Sequence, residues 1–275
     1  MRFSVITVCL NPGDRLKATL ASVLGQTCRD YEVIVKDGGS RDGAPEAWKR
    51  ESGQEPGAER VRLVVKEDTG IYDAMNQAVQ EASGDFLIFM NCGDTFADDR
   101  VLECVADELT QREKRGQELE RLVLYGDTCS GKQQVLIAAA PEITGFVCYR
   151  NIPCHQACFY GAALCREKPY DTEYRIRADY DHFLWCFYRG RAEFCHLEFP
   201  VAVYEGGGYS ESRENRKRDR EEHISITKSY MGGWERFRYQ ALLGLSLAPF
   251  RRAVAESRVF GGLYHRIKKR LYLGK

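Results

Sequence analysis

The sequence predicts an α/β fold in which a mostly parallel, doubly wound sheet is flanked by helices. Apolar segments of strand length alternate with amphipathic helical segments over about the first hundred residues, a pattern typical of such sheets. The run from Asp85 to Met90 then ends abruptly in the polar turn Asn91-Cys92-Gly93-Asp94. Because open α/β sheets bind ligands beyond the carboxyl ends of their strands, this turn is a candidate binding site. An ordinary acidic turn is the alternative for these four residues.

The elements of the first half follow this pattern in order. Phe3 to Cys9 predicts a buried strand, and Asp14 is a candidate N-cap for an amphipathic helix that ends at Gly25. The remaining predicted elements are a strand at 31–36, a strand at 61–66, a helix with Ile71, Met75, Ala78, Val79 and Ala82 on its apolar side that ends at Gly84, and the strand that leads to Asn91.

The second half is less regular. Residues 111–121 are polar and predict a loop or a frayed helix end, and the dense charge run at 213–222 predicts a solvated helix face. The other predicted elements are strands at 122–125, 134–139 and 192–204 and a helix at 179–189 with Phe183, Leu184, Phe187 and Tyr188 on its apolar side.

The charge of the chain is balanced overall but uneven along its length. Lys and Arg together number 40, as do Asp and Glu, so the overall charge does not indicate a nucleic-acid partner. From Met231 to Lys275, ten basic residues face two acidic ones, and aromatic residues lie between them. Basic amphipathic segments of this kind suit an anionic membrane surface. The alternative is a helical subdomain packed on the core with a solvated basic face.

The cysteine content indicates a reducing compartment. The chain has eleven cysteines, an odd number without a preceding secretory segment, which predicts reduced thiols in the cytoplasm. Cys154 and Cys158 flank His155, but a second paired cluster at zinc-site spacing is missing, so structural zinc is not favoured. No stretch approaches the roughly 18 uninterrupted apolar residues of a spanning helix.

Three acidic positions each follow a predicted strand of the first half. Asp37, Asp68 and Asp94 come after the second, third and fourth strands, and parallel neighbours bring such ends to one edge of a sheet. Gly38-Gly39 would let the backbone approach a ligand closely. The glycine patterns of dinucleotide-binding folds, P-loops and hydrolase elbows do not occur. The pattern therefore predicts a nucleotide phosphate held through a metal ion.

Several ordered motifs resemble one known family. The strand Ser4-Val5-Ile6-Thr7 leading to Asn11, the segment 21–27 and the segment 31–43 resemble the nucleotide-binding half of inverting family-two glycosyltransferases, which have the Rossmann-like GT-A fold. Residues 67–76 resemble a segment typical of the branch that builds bacterial surface polysaccharides, and 91–94 stands where the family keeps its D-x-D-type motif. The resemblance continues through His155-Gln156, 179–181 and 206–210, and so covers roughly residues 3 to 210.

The resemblance implies roles on the donor side. Asp37 would bind the nucleotide base, Asn91 and Gly93 would lie near the ribose and diphosphate, and Asp94 would ligate Mg²⁺ or Mn²⁺. Two departures from the family pattern stand out, because 91–94 offers a single acid and Cys9 replaces the more usual Thr or Ser. The further donor-side candidates are Cys9, Asn11, Asp68, Asp73 and Asn76, of which Asp68 and Asp73 have helix capping as their alternative.

Asp179 falls where the family places its catalytic base. A carboxylate there would take the acceptor proton as the hydroxyl attacks the anomeric carbon. Asp181, two residues on, does not share its helical face, so the base is assigned to Asp179 alone. The alternative for Asp179 is a helix N-cap. Weaker acceptor or lid candidates are His155, Gln156, Asp181, Gly207 and Tyr209, where His155 has a core role and 206–210 a plain turn as alternatives.

The sequence and the resemblance together predict an inverting, metal-dependent glycosyltransferase. It would move a sugar from a nucleotide-diphosphate donor, a UDP-sugar, to a lipid-linked or oligosaccharide acceptor at the inner face of the cell membrane. Alternatives are a non-catalytic sugar-nucleotide-binding protein and a nucleotidyltransferase, although the latter needs a glycine-rich basic signature after the first strand. The predicted domains are 1–230, with a nucleotide-binding half at 1–94 and an acceptor half at 95–230, and a basic amphipathic C-terminal extension at 231–275. No nucleic-acid module is recognised.

Overall fold

The computed structural model describes residues 3–52, 56–131, 135–206 and 215–245. In these ranges one nine-stranded sheet is flanked by helices. The strands are β1 (Phe3–Cys9), β2 (Tyr31–Asp37), β3 (Val61–Val65), β4 (Phe86–Phe89), β5 (Thr95–Phe96), β6 (Leu122–Ser130), β7 (Val135–Ile137), β8 (Cys158–Gly161) and β9 (Glu193–Tyr204). The α-helices are α1 (Arg15–Leu24), α2 (Ala44–Ser52), α3 (Ile71–Glu81), α4 (Val101–Lys114), α5 (Gly145–Arg150), α6 (Ala162–Glu167), α7 (Ala178–Tyr188), α8 (Arg216–Tyr230) and α9 (Gly233–Leu245).

The strand order is β3-β2-β1-β4-β8-β6-β9-β5, with β7 paired to β6 outside this path. The first four strands are parallel, and Val5 of β1 lies beside Val33 of β2 and Ile88 of β4. Beyond β4 the pairing is mixed, because β8 is antiparallel to both of its neighbours while β9 runs parallel to β6. The chain reverses its strand order between β1 and β4, so the loops after these strands line the crevice where such folds bind ligands.

The sheet is buried on both faces, as the apolar strands predict. Every residue of β1 and β2 is buried, which fits a parallel sheet covered by helices. Successive residues of β1 enter different cores because strand side chains alternate. Ile6 packs in the cluster that includes Met75 of α3, and Val5 packs in the cluster that includes Leu20 of α1.

The α/β prediction is confirmed, and most element boundaries of the first half shift by only a residue or two. In the second half the polar segment at 111–121 is partly helical, because α4 extends to Lys114. The sequence did not predict α2, α5, α6 or most of α4. Prediction of a solvated face at 213–222 is wrong for Glu222, which is only 8% exposed. Its carboxylate accepts hydrogen bonds from the backbone amides of residues 175–177, just before α7.

Helix α9 is the described part of the predicted C-terminal extension, and residues 246–275 lie outside the described ranges. One side of α9 packs on the domain, where Tyr239 lies against Phe146 and Tyr149. Trp234 and Phe237 stack on each other and are 72% and 60% exposed. Across the described ranges, every helix is too short or too polar to cross a bilayer. All eleven cysteines are free thiols.

Candidate active site

The loops that follow β1 and β2 are hydrogen-bonded to each other at the edge of the sheet. Asp37 is 1% exposed, and its carboxylate accepts hydrogen bonds from the backbone amide and hydroxyl of Ser40. Asn11, at φ +50°, donates its amide proton to the Ser40 hydroxyl and accepts from the Arg41 amide. The structure thus brings Asn11 and Asp37 together, as their positions predict. The Cys9 thiol lies 3.9 Å from an Asp37 oxygen.

A fully buried lysine underlies this edge, and the sequence analysis did not single it out. Lys36 has 0% exposure, and its ammonium lies 2.7 Å from Asp68 Oδ2 and 2.6 Å from the Lys66 carbonyl. Asp68 also accepts from the Gly70 amide. The signal in the sequence was a lysine directly after the apolar run Val33-Ile34-Val35 of a buried strand, because buried lysines are almost always paired. Asp68 therefore has an internal partner.

The side chains of Asp73 and Asn76, both in α3, form hydrogen bonds with backbone groups of Thr69 and Tyr170, respectively. Asp73 accepts from the backbone amide and hydroxyl of Thr69, and the backbone hydrogen bond is the main reason why its pKa is lowered. This agrees with the capping alternative. Asn76 donates to the Tyr170 carbonyl and accepts from the Tyr170 amide, so both ends of its side-chain amide are engaged. These contacts give both residues a structural task.

The turn 91–94 is held from below by α1. Thr19 accepts from the Gly93 amide and donates to the Asp94 carbonyl. The Asp94 carboxylate is buried, and its oxygens accept from the Gln156 side chain and the Glu205 backbone amide. Burial raises the pKa of Asp94 above its usual value. In the described ranges this carboxylate forms no ion pair, and its direct hydrogen-bond donors, the Gln156 side-chain amide and the Glu205 backbone amide, are both neutral.

A second carboxylate adjoins this turn. Gly93 has φ +101°, and a Cβ at this position would overlap with the Glu205 carboxylate, which lies directly against the glycine. The sequence pattern does not reveal Glu205, because 111 residues separate it from Asp94 and the two meet through the β5–β9 pairing and the hydrogen bond from the Glu205 amide. The described residues contain no cluster of three or more His, Cys, Asp and Glu side chains suited to a metal ion. Two carboxylates are thus available at this edge.

His155 connects the turn to Asp179. Its Nδ1 lies 3.2 Å from Asp179 Oδ2, and its Nε2 lies 3.0 Å from Asn91 Nδ2. The Tyr72 hydroxyl donates to the other oxygen, Asp179 Oδ1, at 2.9 Å. The Asn91 Oδ1 atom is buried and has no hydrogen-bond partner. A hydrogen-bonded path therefore runs from the donor motif to the predicted base.

Asp179 stands in the first turn of α7, with 22% of its side chain exposed. The N-cap alternative is wrong, because Arg177 occupies the N-cap position and the Glu222 carboxylate takes the amides before the helix. Burial pushes the pKa of Asp179 up, but hydrogen bonds from His155 and Tyr72 and the electrostatic interaction with the His155 ring outweigh it and lower the pKa. The carboxylate is therefore ionised near neutral pH and keeps an exposed surface.

The remaining predicted residues fall into two groups. Asp181 is buried away from this path, where it pairs with Lys168 and accepts from the Tyr230 hydroxyl, which supports its separation from Asp179. Gly207 and Tyr209 lie outside the described residues.

A cavity of about 260 Å³ adjoins the segment that precedes His155. Its lining includes Ile137, Ala138, Ala139, Ala140, Ile152, Pro153, Cys154 and Tyr204.

Residues 4–115 match the sequence model of the family described as glycosyl transferase family 2. The chain is 33% identical over 215 residues to a PGL/p-HBAD biosynthesis glycosyltransferase of Mycobacterium tuberculosis, which covers 76% of this chain and 78% of the relative. An uncharacterized glycosyltransferase of the same species is 34% identical over 187 residues, 66% of this chain and 67% of the relative.

Two solved structures show the same fold at low sequence identity. The mannosyltransferase PcManGT from Pyrobaculum calidifontis, in complex with GDP-Man and Mn²⁺, superposes with a TM-score of 0.64 at 16% identity, over 96% of this chain and 83% of that one. S. aureus TarS 1–349, in complex with UDP-GlcNAc, gives 0.60 at 15% identity, over 95% and 75%. The chain belongs to glycosyltransferase family 2 and has the GT-A fold.

Proposed function

We propose that this glycosyltransferase moves a sugar from a UDP-linked donor to an acceptor hydroxyl with inversion, using Asp179 as the general base. The observation that carries this proposal is the placement of Asp179. Its carboxylate is partly exposed, receives a hydrogen bond at each oxygen, and is joined through His155 to Asn91 of the donor motif. Relatives named as glycosyltransferases and a fold neighbour bound to UDP-GlcNAc support the reaction class.

The donor side is assigned to the edge formed by β1, β2 and β4. Asp37 and Asn11 would face the base and ribose, with Cys9 beside them, and Gly93 would lie near the diphosphate. The Asn91 Oδ1 atom is buried and lacks a hydrogen-bond partner, so a small movement of this side chain toward a bound ligand would be favourable, because unsatisfied buried acceptors are costly. A donor hydroxyl or an ordered water would satisfy it.

The residues at this edge fit a hard divalent cation such as Mg²⁺ or Mn²⁺. Asp94 presents a buried carboxylate without a cationic partner in the described ranges, and the Glu205 carboxylate adjoins the same turn. Magnesium is commonly bound by one or two carboxylates together with substrate phosphates. When bound, such an ion would neutralise negative charge on the departing diphosphate. We therefore assign Asp94, assisted by Glu205, to hold it.

Asp179 would accept the proton of the acceptor. As the acceptor oxygen bonds to the anomeric carbon, the bond from that carbon to the diphosphate oxygen breaks on the opposite side, which inverts the configuration. The acceptor proton passes to Asp179, which is ionised at neutral pH because its pKa is lowered. His155 and Tyr72 keep the carboxylate in place during this transfer.

The acceptor side supports an apolar or lipid-linked acceptor. The cavity lined by Ile137, Ile152 and Pro153 borders the segment that carries His155, and Ile137 itself is 47% exposed. The exposed Trp234 and Phe237 on α9, together with the basic residues from Met231 to Lys275, favour peripheral binding to an anionic membrane. The inner face of the cell membrane is the location at which such an acceptor and a nucleotide donor meet.

A two-stage experiment tests this function. A thermal-shift screen of UDP- and GDP-sugars, with and without Mn²⁺, identifies the donor, because ligands of the folded state raise the melting temperature. UDP or GDP release is then measured with the identified donor and glycolipid acceptors. Turnover supports a transferase. Tight donor binding without turnover for any acceptor, or hydrolysis by water, would favour the non-catalytic binding protein instead.

A further inference from the structure

Two consecutive side chains contact the two carboxylates of the proposed mechanism. His155 and Gln156 begin the short 3₁₀ helix His155–Ala157, which leads directly into β8. His155 bonds Asp179, while Gln156 donates to Asp94. One dipeptide at the start of β8 thus connects the donor motif to the predicted base.

The hydrogen bonds around His155 determine which ring nitrogen carries the proton. The Asn91 amide is oriented with its nitrogen, which is a donor only, 3.0 Å from His155 Nε2, and in this orientation Nε2 accepts. In the neutral ring the proton then resides on Nδ1, from which it donates to Asp179 Oδ2. The bond made by one ring nitrogen sets the state of the other. This is the Nδ1–H tautomer, and Asn91 holds the ring in it.

The Asp179 carboxylate is fixed by one donor at each oxygen. His155 donates to Oδ2, and Oδ1 lies 2.9 Å from the Tyr72 hydroxyl, whose single proton is shared between Oδ1 and the Ile176 carbonyl at 2.6 Å. With both bonds in place the carboxylate cannot rotate freely about its terminal bond. Loss of His155 would leave Oδ2 without this donor and would release that rotation.

We propose that His155, held in its Nδ1–H tautomer by Asn91, is the positioning residue that orients the Asp179 carboxylate toward the acceptor. This inference rests on the proposed function, in which Asp179 is the base. Its role differs from acceptor binding, because both ring nitrogens already bond to protein groups.

Other titratable groups within electrostatic reach of Asp179 do not obscure a pH measurement. Burial raises the pKa of the Cys154, Cys158 and Tyr170 groups, and burial lowers the pKa of His182 to about 4. These four groups are therefore uncharged near pH 7. The charged carboxylate of Glu222 and the Tyr72 hydroxyl also face this region, and the pKa of Tyr72 is raised by burial. Asp94, whose pKa is raised by burial, also titrates on the acid side. The Asp179–His155 pair is therefore read from the difference between the acid limbs of the native protein and His155→Ala.

The first test is spectroscopic and needs no substrate. Long-range ¹H–¹⁵N spectra of the full-length protein, labelled at its five histidines, are recorded at pH 8, with His155 assigned from the His155→Asn variant. We expect a neutral ring protonated at Nδ1 in the native protein, and a mixture of tautomers in Asn91→Leu, which lacks the amide donor. A native ring protonated at Nε2, or at both nitrogens, would overturn the proposal.

The second test is kinetic and uses UDP-glucose, UDP-galactose and UDP-GlcNAc as probes, with UDP release as the readout. His155→Ala should lower kcat by about tenfold to a hundredfold, the size of one charge-assisted hydrogen bond, and leave the donor KM unchanged. Its acid limb should move to higher pH, because the donor that stabilises ionised Asp179 is gone. His155→Asn, which retains an N–H near the position of Nδ1, should restore part of the rate.

The chain provides a matched control. His196 on β9 also lies beside an aspartate, with its Nε2 3.7 Å from Asp127 Oδ1, and His196→Asn should leave kcat and the pH profile unaltered. An unshifted acid limb in His155→Ala would refute the positioning role. Failure of the proposed function looks different, because then Asp179→Asn turns over normally or no probe is consumed, while the tautomer measurement still decides the arrangement around His155.

Discussion

The ammonium of Lys36 lies 2.7 Å from Asp68 Oδ2 at the carboxyl end of β2, and the lysine side chain is completely buried. Asp68 is nearly completely buried, with 11% of its side chain exposed. The pair ties β2 to the segment that leads into α3, since Lys36 also donates to the carbonyl of Lys66. Asp68 thus supports the donor edge from behind.

Lys36→Met should destabilise the protein by about 3–5 kcal/mol, because it leaves the Asp68 carboxylate without its partner in a buried site. Urea denaturation measures the change in the free energy of unfolding. Lys17→Met is the control, since Lys17 and Glu51 are 67% and 60% exposed and 3.9 Å apart, and an exposed pair contributes less than about 1 kcal/mol. Equal effects of the two variants would contradict a buried ion pair.

Asp94→Ala should weaken the effect of Mn²⁺ on UDP binding. Its carboxylate is buried without a cationic partner in the described residues, so the metal-assisted part of donor binding depends on it. Calorimetric titration of UDP with and without Mn²⁺ measures this dependence, and UDP binding without metal serves as the control for folding. If Mn²⁺ improves UDP binding as much in the variant as in the native protein, Asp94 does not hold the ion.

Asp179→Asn should abolish transfer and leave donor affinity nearly intact. Asparagine has the same shape but cannot accept the acceptor proton, so kcat falls by at least about a hundredfold without a loss of ground-state donor contacts. Asp181→Asn is the control within the same helix turn. It loses the pair with Lys168 and should reduce stability, not turnover. Near-normal turnover by folded Asp179→Asn would remove Asp179 from the mechanism.

His182 should make the protein less stable as the pH falls from 6.5 toward 4. Burial lowers its pKa to about 4, and its Nδ1 lies 2.8 Å from the Lys168 carbonyl. The unfolded chain therefore binds the proton first. The stability gained by burying the neutral ring is complete above pH 6.5 and is lost progressively below it, up to about 3 kcal/mol. Urea denaturation at several pH values should show a flatter dependence for His182→Phe, which retains the ring packing.

Trp234→Ser combined with Phe237→Ser should reduce binding to anionic vesicles and leave the domain folded. Both side chains are exposed and stack on each other, so they are available to insert at the lipid interface. Co-sedimentation with phosphatidylglycerol vesicles measures binding. This double variant is a sharper probe than truncation after Gly232, because truncation also removes Tyr239, which packs on Tyr149. Full-length protein that does not sediment with these vesicles would refute membrane binding.

The periodicity of the sequence predicts most of the sheet's first half and its ligand edge. β1, β2 and β4 are apolar runs that close on polar turns, and parallel pairing brings Asp37, Asp68 and the turn at 91–94 to one edge. The insertion of β8 beside β4 could not be predicted, because antiparallel pairing of distant segments has no local signal.

The detailed site lies beyond what the sequence pattern predicts. Tyr72 and Asp179 are 107 residues apart, and Asn91 and His155 are 64 residues apart, so their contacts arise only when the two halves pack. Glu222 shows the same limit. A charge run predicts solvation, yet this one carboxylate satisfies three backbone amides and is buried for that reason.

The hydrogen bonds between the loops after β1 and β2 have a thermodynamic consequence for donor recognition. Asn11, Ser40 and Asp42 hold the two loops in one conformation, with Gly13 donating to Asp42. The backbone of these loops therefore loses its conformational entropy when the protein folds, before a nucleotide binds this edge. Little ordering cost then opposes association, and rigid sites favour ligands whose shape already matches. The difference in binding free energy between nucleobases should accordingly arise from the binding enthalpy, and the loss of conformational entropy on binding should be small.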